Sequence, residues 1–219
     1  MTINRITSLS HNCKRSVPDM SKKHEIIENT YELFSRLGDT LSLSNIADAS
    51  SIKKSSLYAH FDSKDHLLFH VISLELDKFD KATLTALEAS DPNDLETTVK
   101  KFYFFNLDFF NDPTRLCFWK RCMLLSEGTL KQKVESAHMK IHQRNINYLT
   151  NIYTNYARHN DLDENHVHAF HNSFMVLILG TLYSLFVFED DTQPYEHSFQ
   201  IFWKGVQQHL SETIEGNPK

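Results

Sequence analysis

From Ile26 the apolar residues fall three and four apart. Ile26, Ile27, Thr30, Leu33, Phe34 and Leu37 share one face of a helix of about four turns, which Gly38 closes as a C-cap. Ser42 is placed to N-cap a second, short helix carrying Leu43, Ile46, Ala47 and Ser50. A third helix is expected from about Lys53 to His60. Asp62 or Ser63 then caps a long fourth helix with apolar positions at Leu67, Leu68, Val71, Ile72, Leu74 and Phe79. Asp91-Pro92 and Asp112-Pro113 each put a capping carboxylate before a proline suited to a first helical turn, predicting two more helix starts. Gly128 separates a helix of about 112–127 from one of about 129–159, and the polar stretch 160–163 breaks the pattern again. Helices of roughly 163–190 and 194–214 complete an all-α fold of about nine helices.

Composition supports this pattern. Five glycines and five prolines in 219 residues are too few for a many-turned β fold, and 41% hydrophobic residues suffice for a sizeable core. The run Phe174 to Phe188 is almost wholly apolar, but its 15 or so residues fall short of the ~20 needed to cross a bilayer. A helix buried in protein on most sides is expected there. Residues 1–20 have no periodicity and read as a flexible arm, and Met20, which opens directly into the first helix, is an alternative start of translation. No signal peptide is expected near Met1, and the odd set Cys13, Cys117 and Cys122 has no CxxC pair, so a reducing cytoplasm is the expected setting.

Charge alters the picture further. The net charge of −5 excludes a protein that coats nucleic acid by bulk attraction. Residues 1–64, however, hold nine Lys/Arg against seven Asp/Glu, and the rest fourteen against twenty-one, so the positive end is the N-terminus.

That end also carries the clearest chemistry. A helix that reads a major groove about 12 Å wide must be short, expose small polar and basic residues at its start, and be braced from behind. Ile46 and Ala47 lie on a supporting helix, Ser50-Ser51 make the turn, and Ile52 plugs the corner. Leu57 and Phe61, four apart, face inward. Lys54, Ser55 and Ser56 are then candidates for base edges, and Tyr58, His60 and Lys64 for phosphate or sugar, with Ser42 and Lys53 beside them.

The run Ile46 to Leu68, with its Ile-Ala pair, tight turn, Leu57-Tyr58-Ala59-His60-Phe61 segment and Ser63-Lys64-Asp65-His66-Leu67 opening the fourth helix, resembles the signature of the TetR family of regulators. The detailed likeness covers residues 26–68. Ser51 stands where that family usually has a turn glycine, and Lys53 where a Ser or Thr usually caps the recognition helix. The resemblance implies a helix-turn-helix DNA-binding domain at 21–66 and an effector-binding and dimerisation domain at 67–219. It also implies a homodimer through the last two helices on a palindromic operator, and a repressor released by a small-molecule effector. An activator of the same fold is the alternative.

The body's own pattern agrees with a dimer. Helix 163–190 is apolar around much of its circumference, and helix 194–214 shows a stripe at Phe199, Phe202, Val206 and Leu210. Phe102, Phe105, Phe109, Trp119, Met123, Phe174 and Tyr183 are the candidates for an effector cavity, although aromatic residues at helical spacing are more often plain core. Thirteen histidines raise two competing functions: a metal-dependent helical enzyme using His168 and His171, or a module binding a different protein. No HExxH, paired cysteine or nucleophile motif accompanies them, so no cofactor, metal or catalytic residue is expected.

Overall fold

The computed structural model describes residues 20–88, 94–159, 164–188 and 195–215, and among them every regular element is helical. Helix α1 (Met20–Leu37) is followed by a 3-10 turn at Gly38–Thr40, then α2 (Leu43–Ala49), α3 (Lys54–Leu57) and α4 (Lys64–Glu88). The body continues with α5 (Leu95–Phe110), α6 (Pro113–Met123), α7 (Thr129–His159), α8 (Glu164–Phe188) and α9 (Tyr195–Glu215). The expected N-terminal arm, with Cys13, and the polar break at 160–163 lie outside the described residues.

Local chemistry sets most boundaries. Gly38 takes the left-handed conformation, φ +57°, that ends α1. Ser42 and Asn45 form a reciprocal capping box at the start of α2. Ser63 Oγ accepts from the His66 amide at 3.0 Å and so caps α4. The Asp112-Pro113 start of α6 is as expected, with the carboxylate accepting from the Arg115 amide at 2.7 Å. The other expected start is displaced: Asp94 caps α5, accepting from the Thr97 amide at 3.0 Å, while Asp91 and Pro92 lie outside the described residues.

Three further expectations need correction. Helix α3 ends at Leu57, because the amides of Ala59 and His60 bond three residues back and tighten the chain into a turn. Helix α6 ends at Met123, where the Leu124 and Leu125 amides close the last turn and Ser126 is drawn to Asp39. On α4 Leu74 faces solvent, and its neighbour Glu75 is the buried one, held by Lys78 and Arg115.

The turn between α2 and α3 is a Schellman motif. The Ile52 amide donates to the Ala47 carbonyl at 3.0 Å and the Ser51 amide to the Asp48 carbonyl at 3.1 Å. Ser51 adopts φ +52°, the left-handed state that costs an L-residue roughly 1–2 kcal/mol. Asn29 on α1 braces the turn through the Ala49 carbonyl and Ser50 Oγ. Ser51→Gly removes the left-handed penalty and returns part of the gain as unfolded-state entropy, so we expect a stabilisation of about 0.5–1 kcal/mol. A rise in urea midpoint at unchanged m-value would register it.

Two apolar cores run through the molecule. The first joins α1–α3 to the body: Ile26, Phe34, Ile46, Leu57 and Phe61 pack with Leu68, Val71 and Ile72 of α4 and Phe118 of α6. The second lies among α5, α7, α8 and α9, around Tyr103, Tyr153, Phe170, Phe174 and Phe199.

Helix α8 spans about its expected range but departs from expectation in the extent of its apolar stretch and in its burial. The stretch Asn165–Val187 is long and apolar enough to cross a membrane, and only 28% of its most apolar window is buried within the chain. Val176, Leu179, Tyr183 and Val187 form an exposed stripe along it, with Ile201 of α9 also exposed. An apolar stripe left open to this extent marks an interaction face.

Candidate nucleic-acid interface and effector cavity

Helix α3 stands on two buried anchors. Leu57 and Phe61 are almost wholly inaccessible, which turns the opposite side of α3 outward. Lys53, Lys54, Ser55, Ser56 and Tyr58 are all exposed there, and Ser42 is exposed at the start of α2. His60 is half-buried beside Phe61. Lys53 occupies the N-cap of α3 with no side-chain cap bond, as its lack of an acceptor requires. Lys64, a phosphate candidate, is tied back to the chain: its Nζ donates to the Asp39 carbonyl at 3.1 Å. The outcome is an exposed polar and basic ledge that also carries the Tyr58 ring, suited to phosphate oxygens and base edges.

Within the body a cavity of about 750 Å³ opens among α4, α5, α6, α7 and α8. Of the candidates, Phe102, Trp119, Met123 and Tyr183 line it. Phe105 and Phe109 do not: both pack on Phe79, with centroid separations of 6.0 and 5.0 Å. Phe174 is likewise core, enclosed by Phe102, Phe170 and Phe202.

Several wall residues escaped the sequence expectation. Asn106, Lys131, Glu135, His138, His142 and Asn145 all border the space. Asn145 carried a legible signal, because it interrupts the inward row Ile141, Asn145, Leu149 at four-residue spacing on α7. Asn106 Nδ2 donates to the Phe102 carbonyl at 2.7 Å, whereas Trp119 Nε1 and Asn145 Oδ1 are buried without a hydrogen-bond partner. Lys131 is paired with Glu127. Desolvation, reinforced by His142, holds the His138 imidazole below the usual histidine range.

His171 Nδ1 lies 3.4 Å from Thr150 Oγ1, and burial first, then His142 and His168, lowers its pKa. Among the described residues no group of three or more His, Cys, Asp or Glu side chains is placed to hold an ion.

Helix α6 joins the cavity to α1, which in turn packs against α2 behind the ledge. Trp119, Cys122 and Met123 face the cavity, while Phe118 stacks on Tyr31 of α1 at 4.6 Å and meets Phe34 edge-on at 5.5 Å. One turn on, Arg121 donates to the Arg36 carbonyl at 3.2 Å, and its side chain lies against Gly38. Ser126, just past α6, donates to Asp39 Oδ2 at 2.7 Å, and the Asp39 carbonyl holds Lys64. Gly38 is needed twice here, for its positive φ and because a Cβ would stand 2.8 Å from Arg121 Cδ.

Among curated proteins none matches the chain. Its fold is shared with a candidate transcriptional regulator from Pseudomonas aeruginosa PAO1 (TM-score 0.72, 14% identity, 91% of this chain and 95% of that one). It is shared also with the TetR family transcriptional regulator PfmR from Thermus thermophilus (TM-score 0.60, 21% identity, 81% and 91%). A third similar structure is AibR in complex with isovaleryl coenzyme A and operator DNA (TM-score 0.59, 17% identity, 85% and 97%). Residues 26–71, which hold the braced turn and the exposed ledge of α3, match the family model of bacterial regulatory proteins, tetR family. Over that segment the chain is similar to the tetR family of bacterial regulatory proteins.

Proposed function

We propose that this regulator is a homodimeric repressor that holds a palindromic operator through two copies of α3 and leaves it when a small molecule enters the body. The observation that carries the proposal is α6, which contributes one face to the cavity and the other to the packing of α1. A molecule that moves Trp119 also moves Phe118, and with it the mount of the reading head.

In this account residues 21–66 form the head and 67–219 the body, and the dimer forms through α8 and α9. Lys54, Ser55 and Ser56 contact bases. Ser42, Lys53, Tyr58, His60 and Lys64 contact the backbone. Leu179 and Tyr183 belong both to the cavity wall and to the exposed stripe of α8, so the partner copy borders the cavity mouth. Effector occupancy and head spacing are then coupled. The effector shifts operator affinity only by its preference for one spacing over the other, typically about 5–150-fold. AibR, solved with an acyl-coenzyme A and operator DNA, has this fold and both kinds of ligand.

Selection of bound duplexes from random sequence, using the full chain, tests the proposal. We expect an inverted repeat whose half-sites lie about one helical turn apart, or a multiple of it. A single unrepeated site, or no enrichment, overturns it.

A further inference from the structure

Lys64 is the first residue of α4, and in the proposed function it grips a phosphate. A lysine at the start of a helix samples many rotamers and loses most of them when it binds. Here that loss is taken in folding, because Nζ already donates at 3.1 Å to the carbonyl of Asp39, 25 residues earlier in the chain. An ammonium carries three donors, so two remain for phosphate oxygens while the tether stands.

The anchor of that tether is itself held. Asp39 lies in the 3-10 turn Gly38–Thr40, which joins α1 to α2. Ser126 Oγ donates to Asp39 Oδ2 at 2.7 Å. Arg121 donates to the Arg36 carbonyl at 3.2 Å and lies against Gly38, so it grips the same turn from its other neighbour. Both partners belong to the end of α6, Arg121 in its last turn and Ser126 just past it. The Asp39 carboxylate is engaged by the body and the Asp39 carbonyl by Lys64. Its charge by itself opposes DNA binding, because a carboxylate beside a phosphate-binding lysine repels the duplex. A favourable contribution from Asp39 must therefore come through what it holds.

We propose that Asp39 and Ser126 are positioning residues for the phosphate contact of Lys64: the end of α6 fixes the turn, and the turn fixes the lysine. This rests on the reading of Lys64 as a DNA-backbone contact. It also gives the cavity a second route to the DNA-binding surface, because Cys122 and Met123 of the same last turn of α6 line the cavity. A molecule that shifts this turn shifts Ser126, the Asp39 turn and Lys64 with it.

The test is a double-mutant cycle on the full-length protein, read as affinity for the duplex recovered by selection across a salt series. We expect Lys64→Ala to weaken binding at least roughly tenfold and to reduce the salt slope by about 2, one phosphate contact per protomer. Asp39→Ala and Ser126→Ala should each weaken binding roughly three- to tenfold and flatten the slope in the same direction, with the melting temperature nearly unchanged. In the Lys64→Ala background neither should weaken binding by more than about twofold. Asp39→Asn keeps an acceptor for Ser126 and removes the charge, so it should restore wild-type affinity or exceed it. Tighter binding by Asp39→Ala is the result of charge alone and overturns the proposal. Losses in Asp39→Ala and Ser126→Ala that persist in full without Lys64 assign both residues to the fold of the head and also overturn it. Weakening by Lys64→Ala with no effect of the other two overturns this inference and leaves the phosphate contact standing. Wild-type binding by Lys64→Ala removes the phosphate contact itself, and the inference with it.

Discussion

Gly180→Arg is expected to turn the protein into a folded monomer that has lost most of its operator affinity. Gly180 lies on the exposed stripe of α8, between Val176 and Tyr183, and a Cβ built there meets nothing within 4 Å in its own chain. Within one protomer the change is therefore harmless, and it replaces the residue least suited, after proline, to a helix interior. Were a second copy of α8 packed on this stripe, as proposed, the same arginine would desolvate a charge there. A dimer that grips two half-sites gains about 10²–10⁴ over a single head by effective concentration alone, and a monomer forfeits that factor. Light scattering coupled to size exclusion, with circular dichroism for the fold, reads the first half of the expectation, and operator titration the second. A variant that stays dimeric would place the interface elsewhere.

The second large effect concerns the ledge on α3. Lys53 and Lys54 are adjacent and exposed, yet their assigned roles differ. The proposal gives Lys53, at the N-cap, a phosphate contact, and Lys54, one residue into the helix, a contact to base edges. Neither side chain is packed in the core, so Lys53→Ala and Lys54→Ala should each change stability by less than about 0.5 kcal/mol. Losing a phosphate contact from both protomers weakens all sequences alike and reduces the salt slope by about 2. Losing a base contact costs about 1–3 kcal/mol per half-site and falls on the operator alone. The double variant should therefore bind its operator at least roughly a hundredfold more weakly.

Much of the fold was legible because its causes are local. Three-and-four spacing located α1 through Ile26, Thr30 and Phe34, Ser42 and Asp112 marked helix starts by their capping oxygens, and Leu57 with Phe61 fixed which side of α3 faces out. What was not legible depends on distant partners. Lys64 is held by Asp39, 25 residues earlier, and no local rule foretells that bond. Phe105, Phe109 and Phe174 have the same periodicity as Phe102, and only the packing of α5 against α4 and α8 decides which ring meets the cavity. Hydropathy likewise reports that α8 must be covered, without distinguishing cover by the same chain from cover by a second copy.

The most direct test of the central claim, that α3 reads DNA, is fluorescence anisotropy across a salt series on the duplex recovered by selection and on a scrambled one. Wild type, Lys53→Ala and Lys54→Ala would be compared. The account predicts that Lys53→Ala weakens both duplexes and flattens the salt dependence, while Lys54→Ala removes the preference for the operator and leaves binding to the scrambled duplex nearly unchanged. Unaltered affinity, salt slope and preference in both variants would contradict it.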